Sequence, residues 1–103
     1  MSETIPARRD PHRAPSHPGA LIEDLLADLA IGKSDLARRL GLSRQHVHDI
    51  IAGNKPVSPS VAAKLGKLFG NGPALWLRLQ ASHDAWRAER DIDVSDIETL
   101  TLA

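Results

Sequence analysis

Apolar residues recur along this chain in short stripes of helical period, and each stripe is bracketed by a capping signal. Leu21, Ile22, Leu25, Leu26 and Leu29 fall at i, i+1, i+4, i+5 and i+8, which is one face of a helix. Pro18 suits its first position, where a missing N–H costs nothing. Glu23 and Asp24 sit near that end, where the helix dipole favours them, and the stripe ends near Ala30. A second stripe, Leu36, Ala37 and Leu40, follows Gly32, an acceptable N-cap. Gly41 closes it as a left-handed C-terminal residue. The third stripe is Val47, Ile50 and Ile51; it opens at Ser43, a good N-cap, and stops at Gly53 and Asn54. Ser58 and Pro59 start a fourth on Val61, Ala62, Leu65 and Leu68, ending at Gly70. Gly72 and Pro73 start a longer fifth on Leu75, Trp76, Leu79, Ser82, His83 and Trp86, running to about Glu89.

The two ends of the chain lack such stripes. Residues 1–17 hold three prolines and three arginines and almost nothing apolar, which predicts a flexible N-terminal arm. In residues 91–103, Ile92 and Val94 alternate with Asp, and Leu100 and Leu102 with Thr, which predicts a short extended or strand-like acidic tail. Residues 18–90 form the folded domain between them. The fold class expected is all-α, a five-helix repressor-like bundle.

The second and third stripes meet a specific geometric demand. Two short helices joined by a glycine-containing turn make a helix-turn-helix unit. Its first helix needs a small residue where the second crosses it, which is Ala37. Its turn needs tolerance of a positive φ, which is Gly41. Leu42 plugs the corner, and Val47 and Ile50 bury a β-branched face. Ala37, Gly41, Val47 and Ile50 stand at relative spacings of 0, 4, 10 and 13, and the combination is far more specific than any one of them. With Val47, Ile50 and Ile51 turned inward, Arg44, Gln45 and His48 point outward at the amino end of the third helix. That end of a recognition helix reaches base edges in the major groove. Arg forks onto guanine and Gln pairs with adenine, each worth roughly 1–3 kcal/mol of discrimination. Lys33 and Ser34, where the second helix begins, are candidate phosphate contacts, as are Ser43, Asn54 and Lys55.

Charge is distributed to match. The formal net charge is zero, but Lys33, Arg38, Arg39, Arg44, Lys55, Lys64 and Lys67 face only Asp35 and Asp49 between positions 33 and 67. Glu23, Asp24 and Asp28 lie before that span, and Asp91, Asp93, Asp96 and Glu98 after it. A basic centre between acidic flanks fits a nucleic-acid binder better than the sum does. The 103 residues favour one domain, 3% aromatic content implies an aliphatic core, and the absence of cysteine excludes disulfides and thiolate metal sites. No apolar run is long enough to span a bilayer and no secretory signal pattern is present, so a cytoplasmic location is expected, nucleoid-associated when bound.

The segments "HPGALIEDLL" (17–26), "SDLARRLGLSRQHVHDIIAGNKPVSPSVAAKLGKLFG" (34–70) and "LWLRLQASHD" (75–84) resemble the Cro/repressor-type (XRE) helix-turn-helix family. The His-Pro-Gly opening, the Ser-Arg-Gln start of the third helix, the "VSPSVAAKLGKLFG" block and the Trp-Leu-x-Leu-Gln run look closer still to HigA-type antitoxins. The resemblance implies a bacterial dimer that binds a palindromic operator, neutralises a RelE/HigB-like ribonuclease toxin and represses its own operon, without a cofactor. A stand-alone regulator with no toxin partner is the alternative, and a protein-interaction module that has lost DNA binding is a third reading.

Other chemistries are poorly served. His46 and His48 diverge by about 200° around a helix, so they cannot simply share a metal. Glu23, Asp35 and Asp49 have no accompanying nucleophile, and Gly70 and Gly72 are not followed by the Lys-Ser/Thr of a phosphate loop. An enzyme is therefore not expected. Trp76 reads as core. Trp86 lies beyond the four-helix core and is a candidate dimer or partner contact.

Overall fold

In the computed structural model, which describes residues 15–102, five helices follow one another: α1 (Pro18–Leu29), α2 (Lys33–Leu40), α3 (Arg44–Ile51), α4 (Pro59–Phe69) and α5 (Pro73–Asp91). Most of the segment expected as an N-terminal arm, residues 1–14, lies outside the described residues, as does residue 103. Among the described residues no strand forms, and no helix is long and apolar enough to cross a membrane.

Local chemistry accounts for most boundaries. The Ser43 Oγ accepts the His46 N–H at 3.0 Å, and the Ser58 Oγ accepts the Val61 N–H at 3.2 Å; both are N-caps. Gly41 takes φ 69°. Its N–H reaches the Arg38 carbonyl, and that of Leu42 reaches Ala37 at 2.9 Å. This pair of bonds turns the chain sharply out of α2 into the three-residue corner before α3. The same pattern closes α1, where the Ala30 and Ile31 N–H groups reach the Ala27 and Leu26 carbonyls, but there the left-handed position is held by an alanine at φ 56°.

The core gathers Ile22 and Leu26 of α1, Leu36, Ala37 and Leu40 of α2, Val47 and Ile50 of α3, Val61, Ala62 and Leu65 of α4, Val57 of the α3–α4 linker, and Trp76 of α5. Leu42 packs on its edge as the corner plug. Trp76 is 0% exposed, and its indole N–H is met by the Asn71 Oδ1 at 2.9 Å, so its burial leaves no polar group stranded. Gln80 is the buried polar residue of the bundle. Its Oε1 accepts the Val57 N–H at 2.7 Å and its Nε2 donates to the Asp84 Oδ1 at 2.9 Å. It thereby ties α5 to the linker that follows α3.

Beyond Asp91 the tail runs exposed. A single turn, closed by the Ile97 N–H on the Val94 carbonyl at 3.0 Å, interrupts it. The alternation of Ile92 and Val94 with Asp produces extended chain rather than strand, because no partner strand exists among the described residues for it to pair with. Leu100 and Leu102 stand 87% and 96% exposed.

Candidate nucleic-acid interface

The Gly41 corner and the β-branched inner face of α3 together fix which side of that helix meets solvent. Val47 and Ile50 are each 2% exposed, and Leu36, Ala37 and Leu40 press against them from α2. Arg44, Gln45 and His48 are all exposed on the opposite side. They join Lys33, at the start of α2, to line an open depression of about 450 Å³. Four of the eight side chains expected to read bases or anchor phosphate thus come together on one surface.

Ion pairs divide the basic residues into two sets. Asp35 binds the guanidinium groups of both Arg38 and Arg39 along α2. The Arg39 hydrogen bond, with that of Arg38, holds the Asp35 carboxyl below its ordinary range. The Lys55 Nζ lies 3.7 Å from the Asp49 Oδ2. Among the described residues, Lys33 and Arg44 have no such acidic partner. Two of the cations left without an acidic partner thus line the depression.

Each remaining expected contact has a definite environment. Ser43 is exposed, and its Oγ accepts the His46 N–H. Ser34 and Asn54 are exposed at the start of α2 and in the turn after α3. Gln45 donates from Nε2 to the Asp49 Oδ1 at 2.9 Å, which leaves its Oε1 and the second Nε2 hydrogen for another contact. Trp86 sits apart from this surface, half-buried on α5. The Arg90 guanidinium lies 4.7 Å from its ring centroid, and its buried indole N–H has no partner among the described residues.

Three features escaped the reading of the sequence. Asp49, weighed in the sequence as a charge against the basic span and as a carboxylate without a nucleophile, restrains both Gln45 and Lys55; the i, i+4 spacing from Gln45 is the signal that marks it. His17 caps α1 through Nδ1, which accepts the Gly19 N–H at 2.9 Å. Gly19 lets α1 lie directly on the carboxyl end of α3: a methyl placed there would collide with the carbonyl oxygens of Ile51 and Ile50, the latter at 2.6 Å. No local signal announces that contact.

Known proteins place this arrangement. The helix-turn-helix family matches residues 29–77. Virulence-associated protein A′ of Dichelobacter nodosus is 41% identical over 71 residues, which cover 68% of this chain; the chain spans only 62% of that protein's length. A solved structure from Nostoc punctiforme, a candidate antidote protein of a plasmid maintenance system, is 38% identical. It superposes with a TM-score of 0.75 over 86% of this chain and 100% of its own. The antitoxin HigA of Pseudomonas aeruginosa, solved with the higBA promoter, is 29% identical, with a TM-score of 0.73 over 84% of this chain and 99% of its own. With a helix-turn-helix corner, a five-helix core and neighbours of this kind, the chain belongs to the XRE-type helix-turn-helix family, among HigA-like antitoxins and plasmid-maintenance antidotes.

Proposed function

We propose that this chain is a DNA-binding antitoxin that reads a palindromic operator through α3, represses its own operon and neutralises a RelE/HigB-like ribonuclease toxin. The observation that carries the DNA half is the common surface of Lys33, Arg44, Gln45 and His48, which holds two cations without an acidic partner among the described residues. In this reading Arg44, Gln45 and His48 meet base edges, while Lys33, Ser34, Ser43, Asn54 and Lys55 hold the phosphates on either side. With one Nε2 hydrogen held by Asp49, Gln45 keeps Oε1 to accept from adenine N6 and the second Nε2 hydrogen to donate to adenine N7. Residues 18–90 act as the DNA-binding domain. Two copies joined through α5, Trp86 and the tail at 91–103 would place their recognition helices about one helical turn of DNA apart. The toxin half rests on the HigA-like neighbours and on the acidic outer face of α1, where exposed Glu23, Asp24 and Asp28 would meet a basic ribonuclease.

The test combines two measurements. Fluorescence-anisotropy titration on duplex DNA from upstream of its own gene should show tighter binding than to a scrambled duplex. Arg44→Ala should relax preference at one position of each half-site. A loss that is equal on all sequences would make Arg44 a phosphate contact, and no preference for the upstream DNA would end the operator reading. Co-expression with the product of the adjacent reading frame decides the second half. A complex that survives purification supports the antitoxin, and its absence leaves a stand-alone regulator.

A further inference from the structure

The segment leading into α1 and the middle of α5 meet in a group of titratable side chains that DNA recognition does not use. His17 is half-buried at their junction. Its ring stands edge-on to that of His83, centroids 4.9 Å apart and planes 88° to one another. The His83 Nδ1 lies 3.3 Å from the Pro15 carbonyl oxygen, and its ring stacks at a tilt toward Trp86, 6.3 Å away. On its other side His17 packs against Gly53, in the turn leaving α3; a side chain there would begin 3.7 Å from the His17 Nε2. His17 therefore touches α5, caps α1 and braces the exit of α3 at once.

That cap needs one protonation state. Nδ1 accepts the Gly19 N–H, so its lone pair must be free and the ring proton must sit on Nε2. A second proton would go on Nδ1 and set a donor against a donor. Gly19 is the residue whose backbone lies on the Ile50 and Ile51 carbonyls, so the loss of the cap is felt where α3 ends. We propose that His17 is a proton-sensitive positioning residue, whose neutral imidazole seats the carboxyl end of the recognition helix on the amino end of α1 and whose protonation loosens that seat.

The charges around the ring agree in direction. Burial, and then the facing His83, hold His17 below the 6.5 of a free imidazole; Asp84 opposes them and Arg87 adds to them. Among the described residues, His83, Asp84 and Arg87 all come from α5, and Gly53, which faces the ring from the turn after α3, is uncharged. Because the native group is the weaker base, the unfolded chain takes up more protons as pH falls. Stability is fully present above about pH 6.5 and is lost as pH falls from there through the lower native value.

The experiment is an NMR titration of the free protein from pH 7.5 to 5.5, following the imidazole of His17 and the backbone amides. Gly19, Ile51 and Gly53 should shift with the His17 midpoint. Amide protection at Ala52 and Gly53, which bond the His48 and Ile50 carbonyls at 2.9 and 3.1 Å, should fall by roughly two- to tenfold, the size of a lost cap, while Leu65 in α4 keeps its protection. His17→Asn supplies an uncharged cap of equal quality, so it should preserve the fold at pH 7.5 and abolish the titration at Gly19 and Ile51. His83→Asn should move the His17 midpoint upward. Amides that stay flat in the wild type, or that titrate unchanged in His17→Asn, would reduce His17 to an ordinary cap. No DNA is present, so failure here leaves the operator reading intact, and failure of that reading leaves this result standing.

Discussion

The two ends of α3 are built on opposite principles. The amino end is open: Ser43 caps it, and Arg44, Gln45 and His48 leave it into solvent. The carboxyl end is closed, with the backbone of Gly19 laid on the carbonyls of Ile50 and Ile51 and the His17 ring against Gly53. Eight residues cannot form a stable helix alone. Here one end is anchored so that the other can be spent on polar groups that contribute nothing to the core. Stability and recognition are thus separated along a single helix, and substitutions at its two ends should fail in different ways.

The largest effect belongs to the closed end. In Gly19→Ala the new methyl meets two backbone carbonyls, which cannot swing aside as a flexible side chain would. Overpacking of this kind costs about 1–3 kcal/mol, so the midpoint of urea denaturation should drop clearly with an unchanged slope. Lys33→Ala, at the half-buried first position of α2 and outside the core, should leave that midpoint nearly where it was. If Gly19→Ala proved neutral, α1 and α3 would be able to slide apart at little cost, and the anchored end would not be an anchor.

At the open end, Ser43→Ala removes the cap and should cost about 1 kcal/mol of stability. It also removes a proposed phosphate contact, so on its own it cannot separate the two roles. Ser43→Asp does. An aspartate caps as well as a serine and favours the helix dipole, so stability should hold by thermal denaturation. DNA affinity should nevertheless fall, because a negative charge now faces the phosphates. A variant both stable and fully DNA-competent would remove Ser43 from the interface.

What could be read in advance follows the same division. Ser43, Ser58 and Gly41 act on residues two to four positions away, and the local pattern therefore marks them. Arg44, Gln45 and His48 face outward because Val47 and Ile50 face inward, which periodicity alone decides. Contacts between distant segments were not legible. Nothing in the sequence pairs Gln80 with the Val57 N–H or His17 with His83, since these meet only after the bundle has closed. Ala30 was hidden for a different reason. Glycine is the usual sign of a left-handed helix end, and an alanine at φ 56° carries about 1–2 kcal/mol of strain without announcing it. The tail misled in the opposite sense, because alternation promises a strand only where another strand is present to pair with it.

The smallest effect sharpens the charge pattern of the open end. Each phosphate neutralised by a lysine adds about 0.9 to the slope of log affinity against log salt. Lys33 has no acidic partner among the described residues and should contribute nearly that much. Lys55 begins 3.7 Å from the Asp49 carboxylate. To reach a phosphate it must leave that partner, and the salt ions released from DNA are partly offset by those recruited to the exposed carboxylate. Lys33→Ala should therefore flatten the slope more than Lys55→Ala does. In an Asp49→Asn background the two lysine variants should flatten the slope equally, because Lys55 no longer has a carboxylate to leave. Equal slopes for both lysine variants in the presence of Asp49 would mean that the ion pair opens without cost. The division between paired and unpaired cations would then say nothing about which of them meet DNA.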